Sequence, residues 1–101
     1  MLYDPKWEVE APAKKLEPYQ EHLLAAAQYI REHGWCQNSL RNHRGNVCVL
    51  GAIVYAGVPI NSPAMQKLRE VIGRKEIAAW NNSMFRTEKQ VLAALEKAAQ
   101  G

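Results

Sequence analysis

The chain has 101 residues, 48% of them apolar and 23% charged, with a formal net charge of +3. This makes one domain and excludes a disordered or collagen-like chain. No apolar run reaches the roughly 18 residues of a membrane span, and the start (MLYDPKWEVE) lacks the basic-then-apolar layout of a signal peptide, so a soluble, cytoplasmic domain without membrane contact is expected.

Residues 1–17 carry Pro5 and Pro12 with mixed charge and no sustained period, which reads as an extended N-terminal arm ahead of a single helical domain over 18–101. The first helix is expected over Pro18–His33. Pro18 suits a first helical turn, Leu23, Ala27 and Ile30 recur at helical spacing with Leu24 beside them, and Gly34 supplies the stop. Residues 35–46 (WCQNSLRNHRGN) are polar, and form an irregular loop or a short two-stranded ribbon closing near Arg44-Gly45.

The run VCVLGAIVYAG is apolar almost all round and implies a buried element. We read it as a helix from Val47 to Ala56, with Gly51 marking close approach of a neighbour, since Gly inside a helix costs about 1 kcal/mol against Ala. Ser62-Pro63 opens the next helix, with Met65, Leu68 and Ile72 on one face and a stop at Gly73. A short helical turn over 76–80 and a loop over 81–86 come next. Thr87-x-x-Gln90 is a capping box for a last helix over 88–99, striped by Val91, Leu92, Leu95, Ala98 and Ala99. The fold class is therefore all-α: a small bundle of about four helices.

Charge is uneven. Nine of the ten acids are Glu and lie mostly in helical stretches as partners for Lys and Arg, which argues against a carboxylate-based hydrolase or a clustered-carboxylate metal site. Residues 34–75 hold six bases against one acid, a balance of +5. Most of these bases read as ordinary solvated surface. Sequence-specific DNA binding is disfavoured because Pro59 and Pro63 push the helix after Gly57 out of helix-turn-helix register.

Several short pieces, in order, carry a resemblance: Gly34-Trp35-Cys36-Gln37, Gly45-x-x-Cys48-x-x-Gly51-Ala52, Ala79-Trp80-Asn81, and Thr87 followed by Val91-Leu92. Over roughly residues 19–99 the chain resembles a family of small proteins of unknown function from actinobacteria and their phages. The resemblance implies a phage or actinobacterial setting and supplies no activity. In that family an acid usually follows Trp-Asn; here the position is Asn82.

Two sets of residues compete for a function. The first is His33, Cys36, His43 and Cys48, four zinc-type ligands within sixteen residues, although their spacing matches no common finger. Cys36, His43 and Cys48 also allow a small cysteine-dependent enzyme. Cys48-x-x-Gly51-x-Ile53-Val54-Tyr55 looks like the cysteine helix of papain-related cell-wall peptidases, but all three His residues precede Cys48, whereas that family's catalytic His follows it. The blander reading is two buried thiols; a disulfide across the loop they flank is the lesser alternative in a cytosolic protein.

The second set is Trp35, Arg41, Arg44, Trp80, Asn81, Phe85 and Arg86, aromatic and Arg residues around two loops, of the types that anchor interfaces; the blander reading makes Trp35 and Trp80 core plugs. Met84-Phe85 within a polar loop is the most pointed detail, two hydrophobes that dock either on the body or on a partner. With no catalytic constellation complete and no cofactor motif, the expected function is a non-enzymatic binding protein, in the phage setting an accessory protein. A protein partner is expected, with a homodimer as one form of it.

Overall fold

The computed structural model describes residues 16–74 and 76–100. The arm expected over 1–17 lies almost wholly outside these. Five helices make up the described part: α1 (Pro18–His33), α2 (Val49–Tyr55), α3 (Pro63–Ile72), α4 (Ile77–Asn81) and α5 (Glu88–Ala99). The expected all-α bundle is the fold; the turn after Gly73 is a fifth, short helix.

Each boundary has a local cause. Gln20 in the first turn of α1 accepts from the Glu17 N–H and donates to the Ala99 carbonyl, so one side chain caps α1 and ties it to the end of α5. Ser62 precedes Pro63 as expected, but its hydroxyl is buried without a partner, so proline geometry and not a side-chain cap starts α3. Gly73 stops that helix in the left-handed conformation. In α5, Thr87 Oγ1 accepts from the Gln90 N–H while Gln90 accepts in return from the Thr87 N–H. Thr87→Ala should cost about 1 kcal/mol, read as a lowered urea midpoint with an unchanged m-value.

The helix expected from Val47 begins instead at Val49. Val47 donates to the Gly34 carbonyl and accepts from the Cys36 N–H, forming a parallel bridge with Trp35, while its other side pairs with Arg41 in an antiparallel bridge. With both backbone groups committed across the chain, Val47 cannot enter a helical ladder. The expected ribbon is thus reduced to single bridges around the turn over 42–45.

α1 packs against α5, α2 and α3; α5 also lies on α3, and the short α4 fits against α2 and α3. Leu23, Ala26, Ala27, Ile30, Ile53, Met65, Leu68, Val91 and Leu95 form the core, and the Ala positions let the helices approach closely. Leu24, expected beside the buried stripe, faces solvent. Gly51 is a site of close approach, as its place in an apolar helix implied. A Cβ there would lie 1.9 Å from the Leu40 carbonyl oxygen.

Candidate functional site

The polar network at one end of the bundle starts from a single residue. Asn81, the last residue of α4, is fully buried. Its Oδ1 accepts from Trp35 Nε1 at 2.7 Å and from the Val49 N–H at 3.0 Å. Its Nδ2 donates to the Cys36 carbonyl and to Asn82 Oδ1. The side chain therefore joins the 35–37 segment, the start of α2 and the end of α4. Gln37 Nε2 adds bonds to the carbonyls of Asn81 and Ser83, and Asn82 Oδ1 accepts from the Asn38 N–H.

At the edge of a loop, Trp80 reads first as a core plug and second, with Asn81, as part of a binding surface. Both are buried, because α4 extends through Asn81 and turns the indole into the core, where Trp80 is 7% exposed. Arg86 covers its outer face with the guanidinium carbon 4.1 Å from the ring centroid, and its Nε donates to the Trp80 carbonyl. Arg86 is thus a clamp on the loop. Trp35 is half-buried, held by Asn81. These three residues and Asn81 position the loop and offer little surface themselves.

What the loop presents is Met84 and Phe85, 81% and 87% exposed. Phe85 sits at φ +71°, in the left-handed region, where a bulky residue is a genuine outlier. The conformation is enforced from both sides. The Arg86 N–H bonds the Ser83 carbonyl and Ser83 Oγ bonds the Ala79 carbonyl, while the capping box fixes the chain from Thr87 onward. Asn38, on the neighbouring segment, is also left-handed at φ +67°.

Arg41 and Arg44 are not gathered into this cluster. Arg41 lies 5.4 Å over the Tyr55 ring, at the end of a row in which Tyr55 faces Tyr29 and Tyr29 stacks on His33 at 4.0 Å. Arg44 is exposed on the turn, with its N–H on Asn42 Oδ1.

The zinc-type set does not converge. Among the described residues no group of three or more His, Cys, Asp or Glu side chains is placed to hold a metal ion. His33 Nδ1 is bonded to the Tyr29 carbonyl at 3.0 Å, and His43 is exposed on the turn. Cys48 is the N-cap of α2; its buried Sγ accepts from the Gly51 N–H. Burial, and then the neighbouring Cys48, push the Cys36 thiol above its ordinary range, which disfavours the thiolate a nucleophile needs. Two surface depressions, one beside the end of α3 and one between α2, α3 and α4, are lined by neither Cys nor His.

Sequence reasoning misses Gln37, Asn38 and Asn82 as partners of the loop. Gln37 stands in a motif of the resemblance and Asn82 follows Trp80-Asn81, but residue type does not distinguish a bracing amide from a solvated one. A family model described as a family of unknown function (DUF6197) matches residues 15–101. No curated protein and no solved structure matches the chain.

Proposed function

For this chain, which belongs to the family of unknown function DUF6197, we propose a non-enzymatic role: it binds a protein partner through Met84 and Phe85. The observation that carries the reading is Phe85, 87% exposed at φ +71° on a loop braced by Asn81, Gln37 and Arg86. A left-handed, non-glycine residue costs roughly 1–2 kcal/mol. That cost gives the free protein no apolar burial in return, and the pair is pre-organised for a pocket elsewhere. Arg86 beside it is engaged with the Trp80 ring and carbonyl, and Glu88 and Lys89 balance in charge, so the fitting partner offers an apolar pocket and recognition does not rest on charge. The actinobacterial and phage setting of the resembling proteins makes a phage accessory protein acting on a host or phage macromolecule in the cytoplasm the biological form of this proposal.

Phe85→Gly separates binding from folding. Glycine accepts the positive φ, so the variant should be more stable by about 0.5–1 kcal/mol while losing partner affinity at least tenfold. A photocrosslinker at position 85, with one at exposed Gln28 as control, identifies the partner in native host cells. Unchanged affinity of every crosslinked partner for the Phe85→Gly and Met84→Ser variants would end the proposal. A crosslink to a second copy, with a dimer in sedimentation at tens of micromolar that Phe85→Gly dissolves, would make the partner the chain itself.

A further inference from the structure

We infer that Cys36 and Cys48 are a redox-active pair that closes to a disulfide within the native fold and so locks the 36–48 loop; this goes beyond the binding role of Phe85 and does not depend on it. Backbone register brings the two together. In the parallel bridge between Trp35 and Val47, the Val47 N–H bonds the Gly34 carbonyl and its own carbonyl accepts from the Cys36 N–H, both at 2.9 Å. Paired residues of parallel segments point to the same face, and faces alternate along each segment. Gly34 and Asn46 therefore share the face opposite Trp35 and Val47, and so do Cys36 and Cys48.

The structure supplies an independent check on that face. A Cβ built on Gly34 would meet Asn46 Nδ2 at 2.3 Å. Two residue pairs further along, the register places Cys36 opposite Cys48 on the same face. Cys48 keeps extended backbone (φ −81°, ψ 177°), and neighbouring paired segments ride about 4.8 Å apart, inside the roughly 4.4–6.8 Å Cα window of disulfides. Cys36 Sγ reaches across this face, within 3.4 Å of the Asn46 carbonyl and 3.6 Å of the Ser39 carbonyl. Each cysteine is a free thiol, Cys36 half-buried and Cys48 buried.

Closure strands no buried acceptor at the bridge, since the Asn46 carbonyl retains the Asn42 N–H as donor. With glutathione disulfide as oxidant, the more accessible Cys36 thiolate attacks one sulfur of the reagent and expels a glutathione thiolate. Cys48 Sγ then attacks the mixed disulfide at Cys36 Sγ and expels the second. Two protons pass from the protein thiols to the two leaving thiolates: two protein thiols are oxidised to one disulfide, and one glutathione disulfide is reduced to two glutathiones. The raised titration of the Cys36 thiol makes the first attack slow at neutral pH and faster as pH rises.

The test uses the whole, folded chain in glutathione buffers of graded redox ratio, with acid quenching, alkylation and intact-mass measurement. The wild type is expected to pass from two alkylatable thiols to none, losing two hydrogens and keeping no glutathione. Its Tm should rise on the order of 10 °C. Cys48→Ser should instead trap a glutathione adduct at Cys36, and Cys36→Ser should stay unmodified in the native state because Cys48 is buried. Two free thiols persisting under glutathione disulfide, a lasting adduct on the wild type, or closure only in denaturant would each overturn the pairing.

Discussion

Asn81→Ala should cost about 3–4 kcal/mol, among the largest single-residue penalties in the chain. The deletion removes two acceptor and two donor interactions at once. It leaves the Val49 N–H, at a buried site, and the half-buried Trp35 indole N–H without their shared acceptor, and the Cys36 carbonyl without the amide donor. Each stranded group costs about 1–3 kcal/mol where water cannot reach it, and partial access to the 35–37 segment keeps the sum toward the lower end. Against a total stability of roughly 5–10 kcal/mol for a domain of this size, about a third to four-fifths of the margin goes.

Asn81→Asp distinguishes the network from simple packing, since it preserves shape. The retained oxygen still accepts from Trp35 and Val49, but a second oxygen replaces the donor that faces the Cys36 carbonyl and Asn82 Oδ1. Burial raises the carboxyl's folded pKa above its unfolded value, so stability is greatest at acidic pH, where the group is neutral, and falls as pH rises toward and through the folded pKa. Urea titrations at neutral and mildly acidic pH read this directly. A variant equally stable at both would show that the amide donor is not needed.

Gly51→Ala is expected to be comparably damaging, by roughly 3 kcal/mol or more, although alanine is the better helix former. The added carbon would sit 1.9 Å from the Leu40 oxygen, 2.8 Å from its carbonyl carbon and 3.2 Å from its Cα. All three are backbone atoms, so no rotamer change relieves the contact. Room is made only by moving the 38–41 segment off α2. That breaks the bond from the Cys48 N–H to Leu40 and the Arg41–Val47 bridge. The gain of about 1 kcal/mol in helix propensity is smaller than this loss. Thermal melts and amide exchange at Cys48 and Val49 test it, and an unchanged Tm with retained protection would show that the loop does not rest on the helix.

The same geometry explains why Gly45-x-x-Cys48-x-x-Gly51-Ala52 carried so much of the family resemblance. Gly45 takes a positive φ in the turn, Cys48 caps the helix onto the Gly51 N–H, and Gly51 lets Leu40 touch the helix backbone. Trp80-Asn81 reads the same way, as a core indole followed by the amide that pins the loops. These motif residues serve the fold. The candidate binding residues Met84 and Phe85 lie outside them.

Helix positions were legible because their signals are local. Pro18 and Pro63 at first turns, the Thr87–Gln90 box and the stops at Gly34 and Gly73 act over three or four residues, and the apolar spacing of α3 and α5 comes from the helical repeat. The start of α2 was not legible, because Val47 is taken out of the helix by partners eleven to thirteen positions earlier in the chain. The cluster of aromatic and Arg residues split for a similar reason. Residue type marks a Trp, an Asn or an Arg as able to anchor something, but only three-dimensional neighbours decide what.

An apolar fraction of 48%, a third of it small residues, already implied closely packed helices around a modest core. Chain order and capping chemistry set four helices, a short helical turn and two polar loops. The assignment of each large side chain to core or solvent came from long-range packing: α4 ran one residue further than its local pattern suggested, took Trp80 and Asn81 inside, and left Phe85 the most exposed aromatic among the described residues. A local repeat records which residues share a face, whereas burial depends on what that face meets, and that is a property of the whole folded chain.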